Sequence, residues 1–205
     1  MTTTDDPRWQ DLTDARVVAD ALIDLYERRG NGPYEDAVSQ TDHARQIGAH
    51  AMVAGADACT IAGAFLHDLG HLCPPNRSSR HTGGSIDRAH EAVGAQFAGY
   101  WFGEDVVAPI RLHVAAKRYL CAVEPDYLSK LSPASMRRLV VQGGPMGDSE
   151  ARSFEREPHA DAAIRLRRWD EQSNEPNAPA PTLSAYHSVL VEALGQTVTR
   201  PERVT

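Results

Sequence analysis

The chain has little cysteine, no long apolar run and no excess of positive charge, and each absence excludes a class of protein. Three cysteines occur in 205 residues, at Cys59, Cys73 and Cys121. Their number is odd and their spacing suits neither a disulfide framework nor a Cys-based metal site, so they read as reduced thiols. No stretch approaches the roughly 18 apolar residues of a membrane span, so no membrane partner is expected. Met1 to Pro7 hold neither a basic nor an apolar segment, so the reading is a cytoplasmic protein without a secretory signal. The net charge of −7 argues against a nucleic-acid partner. A small anion would need a local cluster of Lys and Arg. No segment alternates as a strand does, and no internal repeat occurs.

What is present is helical patterning in an ordinary globular composition, at a length that suits one domain with appendages. Val17, Val18, Ala21, Leu22 and Leu25 form the apolar stripe of a helix over about 13–29, capped by Thr13 or Asp11 and stopped at Gly30. Further helices are expected from Ser39 or Thr41 to about 54, from the N-cap Asp57 to about 70, and over 89–97 and 105–120. Ser132-Pro133, a cap followed by an N1 proline, opens another to about 141. Two more are expected over 158–170 and 182–194. Residues 76–87 read as a loop or lid, 175–181 as a Pro/Ala linker, and the tail from about 196 as frayed. The expected fold is all-α, with the functional domain over 1–175 and a linker, terminal helix and tail over 176–205.

The stretch Ala64-Phe65-Leu66-His67-Asp68-Leu69-Gly70-His71 puts chemistry into that pattern. Ile61, Ala62, Phe65, Leu66 and Leu69 fit one buried stripe, and His67 and Asp68 stand side by side in it. Burying an unpaired carboxylate there costs roughly several kcal/mol, which a metal cation offsets. One carboxylate has two oxygens and can bridge two ions while each takes imidazoles from elsewhere. An isolated His-Asp pair would more simply be a solvated helix end. Here His43, His90, His113 and Asp170 fall on other expected helices with apolar neighbours, and a bundle can bring such residues to one interior point. Four imidazoles and two carboxylates suffice for two ions; they suit Fe, Mn, Zn, Co or Ni without choosing among them. Lys117 follows His113 by a helical turn and Arg167 precedes Asp170 by three residues, so each shares a face with a candidate ligand. Together they mark a local anion site. His50, His81, His159 and His187 stand outside the set.

These residues resemble the HD-domain superfamily of all-α metalloproteins. Within it they resemble the mixed-valent di-iron oxygenases, which include myo-inositol oxygenase and the phosphonate-cleaving oxygenases. The resemblance runs from about 30 to 173 through an ordered set of motifs: Tyr34 with Asp36, Gln40 and His43; Leu66 to His71; His90 to Ala95; His113 to Leu120; Gln142 to Pro145; and Leu166 to Asp170. It implies an HD-domain helical bundle around a dinuclear metal site. His43, His67, Asp68 and Asp170 would hold one iron, and Asp68, His90 and His113 the other, as an Fe(II)/Fe(III) pair. Tyr34 would occupy an open iron position before substrate arrives. Lys117, Ser135, Gln142 and Arg167 would bind the phosphonate, and His71 would polarise the substrate or orient a ligand.

The resemblance further implies cleavage of a C–P bond with O2 on a small organophosphonate. Asp36 stands where enzymes acting on the primary amine carry Glu. The shorter carboxylate leaves room for a trimethylammonium group, which has no N–H to pair and is held by negative potential and aromatic faces; Tyr34, Tyr100, Trp101 and Tyr119 are candidates. The expected substrate is therefore 1-hydroxy-2-(trimethylammonio)ethylphosphonate, with glycine betaine and phosphate as products. The alternatives are 2-amino-1-hydroxyethylphosphonate, giving glycine, and a metal-dependent phosphohydrolase in which two ions activate water. A non-catalytic anion sensor is a third.

Overall fold

Four side chains set where helices begin. Asp14, Ser39, Asp57 and Ser132 each accept a hydrogen bond from a main-chain N–H of the turn that follows, which satisfies donors that a helix N-terminus leaves open. Asp14, rather than Thr13 or Asp11, therefore caps the first helix. The computed structural model describes residues 8–35, 38–73 and 90–198. Among them are ten α-helices: α1 Ala15–Arg29, α2 Gln40–Val53, α3 Ala58–Leu66, α4 His90–Ala98, α5 Glu104–Val123, α6 Pro125–Lys130, α7 Pro133–Val141, α8 Asp148–Phe154, α9 Ala160–Glu171 and α10 Leu183–Val198. The fold is the expected all-α bundle. Two 3-10 turns, Trp9–Asp11 and Leu69–His71, accompany it.

The differences from the sequence reading are local. A two-stranded antiparallel hairpin, β1 Pro33–Glu35 with β2 Val38–Ser39, precedes α2; its strands are too short to show alternation. The short helices α6 and α8 were not expected, because one apolar turn has no measurable period. α10 continues past 194 to Val198 instead of fraying from 196. α3 stops at Leu66, four residues short of the expected end. His67 is its C-cap, and Asp68 (φ −99°, ψ 14°) lies in the break before the 3-10 turn.

That break lies against the middle of the core. Every α3 residue except Thr60 is buried, and α3 packs against α2, α5 and α10. Phe65 stacks on Tyr186 at 4.5 Å and lies 4.5 Å from Tyr26. The Tyr26 hydroxyl donates to the Phe65 carbonyl at 2.9 Å, taking up one of the acceptors left open at the end of α3. Aromatic burial here, worth roughly 3–5 kcal/mol for a Phe, thus fixes the chain immediately before His67. α5 carries the bundle onward, packing against α4 and α9. α10 buries Tyr186, Leu190, Ala193 and Leu194 in the same core as α1 and α3. Among the described residues no helix is long and apolar enough to cross a membrane.

Gly70 determines how close α4 can come. A Cβ at Gly70 would overlap the His90 carbonyl, and one at Gly94 would stand 2.9 Å from the Gly70 nitrogen. The two glycines let the turn after Asp68 lie directly on α4, which delivers His90 to Asp68.

Candidate metal centre

Five elements meet at one point. His43 comes from the first turn of α2, His67 from the C-cap of α3, and Asp68 from the break after it. His90 opens α4, His113 lies in α5, and Asp170 lies in the last turn of α9. All six are buried. Asp68 divides its oxygens between two groups of imidazoles. Its Oδ2 is 3.4 Å from His67 Nε2, while its Oδ1 is 3.3 Å from His90 Nε2 and 3.7 Å from His113 Nε2. Asp170 Oδ1 is 3.2 Å from His43 Nε2. Two sets, His43–His67–Asp68 and Asp68–His90–His113, each bring their donor atoms within 4.8 Å of one another.

The main chain decides which ring nitrogen three of the four imidazoles present. His67 Nδ1 is 3.0 Å from the Ala64 carbonyl and His113 Nδ1 is 2.7 Å from the Ile110 carbonyl, both three residues back. His43 Nδ1 is 2.7 Å from the Ser173 carbonyl, just past α9. A carbonyl only accepts, so each Nδ1 carries the hydrogen and the neutral ring offers the lone pair of Nε2. Those lone pairs converge on the two carboxylates, His67 and His113 on Asp68 and His43 on Asp170. His67 Nε2 is buried and makes no hydrogen bond, and His90 Nε2 and His113 Nε2 face each other at 3.0 Å. Buried acceptors left unsatisfied cost about 1–3 kcal/mol each. Cations between the rings and the two carboxylates would take up those lone pairs, so the donors fit a pair of metal ions.

The charges are set to match. Burial would raise the Asp68 carboxyl, but His67 and His90 outweigh it and hold it well below the usual range. Burial likewise opposes ionisation of Asp170, and Arg167, His43 and His67 overcome it, so its pKa is lowered. His113 is pushed well below its ordinary value by burial and by His90 and His67, which keeps it neutral and able to bind metal. His67 is raised despite burial, because Asp68 stands beside it.

A cavity opens on one side of this cluster. Asp68, His90, His113 and Asp170 form its floor, and His71, Val114, Lys117, Ser135, Arg138, Gln142 and Arg167 form its wall. The structure therefore brings His71, Lys117, Ser135, Gln142 and Arg167, each singled out in the sequence, to one space. His71 stacks on His90 at 4.4 Å with its Nε2 4.0 Å from Asp68 Oδ1. Ser135 is buried, and Gln142 Oε1 is buried without a hydrogen bond. Lys117 is buried, and burial followed by Arg167 pushes it down to about 7. Arg167 pairs with Asp170 and Glu171 and donates from Nε to the Tyr127 hydroxyl at 3.1 Å.

Asp36 and the side chain of Tyr34 lie outside the described residues. Tyr100, Trp101 and Tyr119 do not reach the cavity. Trp101 packs edge-on against Trp9 and Phe97 and donates to the Leu12 carbonyl, Tyr100 packs against Phe97 and Trp101, and Tyr119 packs on Phe154. Aromatic character alone did not tell core filling from a ligand face. The sequence reading missed Arg138, Ser173 and Tyr127. Arg138 was legible, since it lies one turn from Ser135 and from Gln142. Ser173 acts through its carbonyl, which no side-chain pattern announces.

An all-α bundle with two imidazole clusters sharing one buried carboxylate, under a cavity walled by cations, defines a metal-dependent protein that takes a small anion. No family model matches the chain. Over 174 residues, 85% of this chain and 87% of the relative, it is 38% identical to the hydroxymethylphosphonate dioxygenase of Gimesia maris. Over 158 residues, 77% and 80% of the two chains, it is 35% identical to the glycine-betaine-forming (1-hydroxy-2-(trimethylamino)ethyl)phosphonate dioxygenase of Leisingera caerulea. Over 177 residues, 85% and 81%, it is 31% identical to the uncharacterized protein L432 of Acanthamoeba polyphaga mimivirus. The chain belongs to the phosphonate-cleaving oxygenase family. It is an oxygenase enzyme acting on phosphonates, with a metal cofactor, a small phosphonate substrate and O2.

Proposed function

We propose that the protein uses an Fe(II)/Fe(III) pair and O2 to cleave the C–P bond of a 1-hydroxyphosphonate, releasing phosphate and a carboxylate. The observation that carries this reading is the division of Asp68 between two imidazole clusters at the foot of the cation-walled cavity. His43, His67, Asp68 and Asp170 would hold one iron, and Asp68, His90 and His113 the other. When bound, the irons supply activation of O2 and oxidation of the hydroxyl-bearing carbon.

The chain's own residues do the rest. Lys117 and Arg167 bind the phosphonate oxygens, and the side chains of Ser135 and Gln142 complete that site with neutral hydrogen bonds. Tyr127 and Asp170 hold the Arg167 guanidinium in place. His71, stacked on His90 beside Asp68, hydrogen-bonds the substrate where it meets the metals. Burial keeps water from the reacting carbon.

The described part of the wall is basic or neutral. Among its described residues are three cations, no Phe, Tyr or Trp, and no carboxylate other than Asp68 and Asp170. Hydroxymethylphosphonate, which would yield formate and phosphate, fits that wall, and the relative from Gimesia maris is named for it. The second reading is 1-hydroxy-2-(trimethylammonio)ethylphosphonate, giving glycine betaine. It rests on Asp36 as the partner of the quaternary ammonium, with Tyr34 beside it, and on the Leisingera caerulea relative. The experiment is steady-state kcat/KM for both substrates under air, with iron content, EPR of the mixed-valent pair and phosphate release followed together. Hydrolysis of a phosphate ester without O2, supported by Zn or Mg, would overturn the oxygenase reading.

A further inference from the structure

One imidazole of the centre is anchored differently from the others. His67 and His113 donate from Nδ1 to the carbonyl three residues back, and His43 donates to Ser173 across the bundle. His90 is the first described residue of α4. Its Nδ1 is buried and makes no hydrogen bond. Facing it at 3.5 Å is Oε2 of Glu91, also buried and also without a hydrogen bond. A buried carboxylate oxygen and a buried ring nitrogen this close, each lacking a partner, satisfy one another with a shift of a few tenths of an ångström once Nδ1 carries the hydrogen.

We propose that Glu91 is a positioning residue of the metal centre: its carboxylate accepts a hydrogen bond from His90 Nδ1 and so turns the Nε2 lone pair toward the ion shared with Asp68 and His113. The proposal rests on the reading that this cluster holds two irons. The other face of the His90 ring is covered by His71, stacked at 18°. The stack fixes the plane of the ring but leaves it free to turn in that plane. The hydrogen bond to Glu91 removes the remaining freedom and selects the tautomer. A carboxylate partner also leaves the imidazole a stronger donor than a main-chain carbonyl does. The two ions therefore sit on unequal ligand sets: one has carbonyl-anchored imidazoles only, the other has one imidazole backed by a carboxylate. As a residue of the first helical turn Glu91 also suits the helix dipole, and the test separates that role from the proposed one.

The test compares wild type with Glu91→Gln and Glu91→Leu in iron-loaded protein. Iron retained against a graded chelator is measured together with the low-temperature EPR spectrum. Glu91→Leu should weaken retention of one of the two irons by about 10–100-fold, the usual effect of losing such a partner. The other iron should stay at wild-type affinity. Glu91→Gln, which keeps an acceptor but not the charge, should retain both irons with altered EPR g-values. Equal retention of both irons in Glu91→Leu, with an unchanged spectrum, overturns the proposal, as does equal weakening of both. Loss confined to folding stability would assign Glu91 to the helix terminus and overturns it too. A wild-type protein that binds fewer than two irons defeats the di-iron reading itself, which keeps the two failures distinct.

Discussion

Lys117 pits stability against binding, and replacing it with Met should raise the first while destroying the second. Its ammonium is buried in α5 beside Arg167, and burial followed by that repulsion lowers its pKa from 10.5 to about 7. Bound metal cations push it further the same way. At about 1.4 kcal/mol per pH unit, a drop of this size corresponds to a folding cost on the order of 5 kcal/mol. The sign follows from proton counting. Between pH 7 and 10.5 the unfolded chain binds the proton that the folded one has released, so this group makes stability rise with pH across that window. Below about 7 the cost is carried in full; above 10.5 it disappears. Lys117→Met keeps the length and apolar stem of the side chain and removes the ammonium. Urea unfolding at equal metal loading should therefore show a variant more stable by a few kcal/mol at pH 6, with the gain fading toward pH 10. The same variant loses a charge-assisted hydrogen bond worth about 1.5–3 kcal/mol. It should bind methylphosphonate, which lacks the hydroxyl that reacts, at least tenfold more weakly by calorimetry. A variant no more stable at pH 6, or a gain that does not fade with pH, refutes the strained ammonium. Unchanged methylphosphonate affinity refutes the placement of the anion.

Four further outcomes are expected. Asp68→Ala should abolish the coupled iron EPR signal, because both imidazole clusters lose their shared oxygens; an intact dinuclear signal would sink the bridge. Gly70→Ala places a methyl group on the His90 carbonyl, a clash of main chain that no rotamer relieves, so it should lower the melting temperature and cut iron to fewer than two per chain. Metal analysis at wild-type values would contradict it. Arg138→Gln should weaken methylphosphonate binding by about tenfold through loss of a permanent charge at the wall and leave iron content unchanged; calorimetry with normal affinity would remove Arg138 from the site. On the second substrate reading, Asp36→Glu should lower kcat/KM for the trimethylammonio substrate and leave that for hydroxymethylphosphonate nearly constant. An unchanged ratio would show that Asp36 selects nothing.

The architecture was legible because strong local rules coincide with it. Asp57 and Ser132-Pro133 are helix starts by capping chemistry, and the structure begins α3 and α7 there. The end of α3 was not legible. The apolar stripe continues through Leu69, yet the helix breaks at His67, since the tertiary approach of His90 and His113 to Asp68 competes with one more helical turn. The cavity wall was legible from spacing wherever a cation shared a helix face with a ligand, as Lys117 does with His113 and Arg167 with Asp170. It failed for Tyr100, Trp101 and Tyr119, whose patterns serve equally to fill a core.

The anchoring of the imidazoles makes the geometry of the candidate metal centre insensitive to most side-chain exchanges around it. Three of the four imidazoles are oriented by main-chain carbonyls, two of them from the preceding turn of the chain. Such acceptors persist whatever side chains surround them, as long as the helices stay where Phe65, Tyr26 and Tyr186 place them. Substitution elsewhere then changes packing by small amounts and leaves Nε2 aimed at the centre. Among the four imidazoles, His90 is the one whose Nδ1 faces a side-chain carboxylate, that of Glu91, instead of a main-chain carbonyl. The wall of the cavity is freer still: Arg138, Ser135 and Gln142 all project from one short element, α7 and its C-cap. Residues on α7 can therefore change the shape and charge of the wall without moving the elements that carry the buried imidazoles and carboxylates.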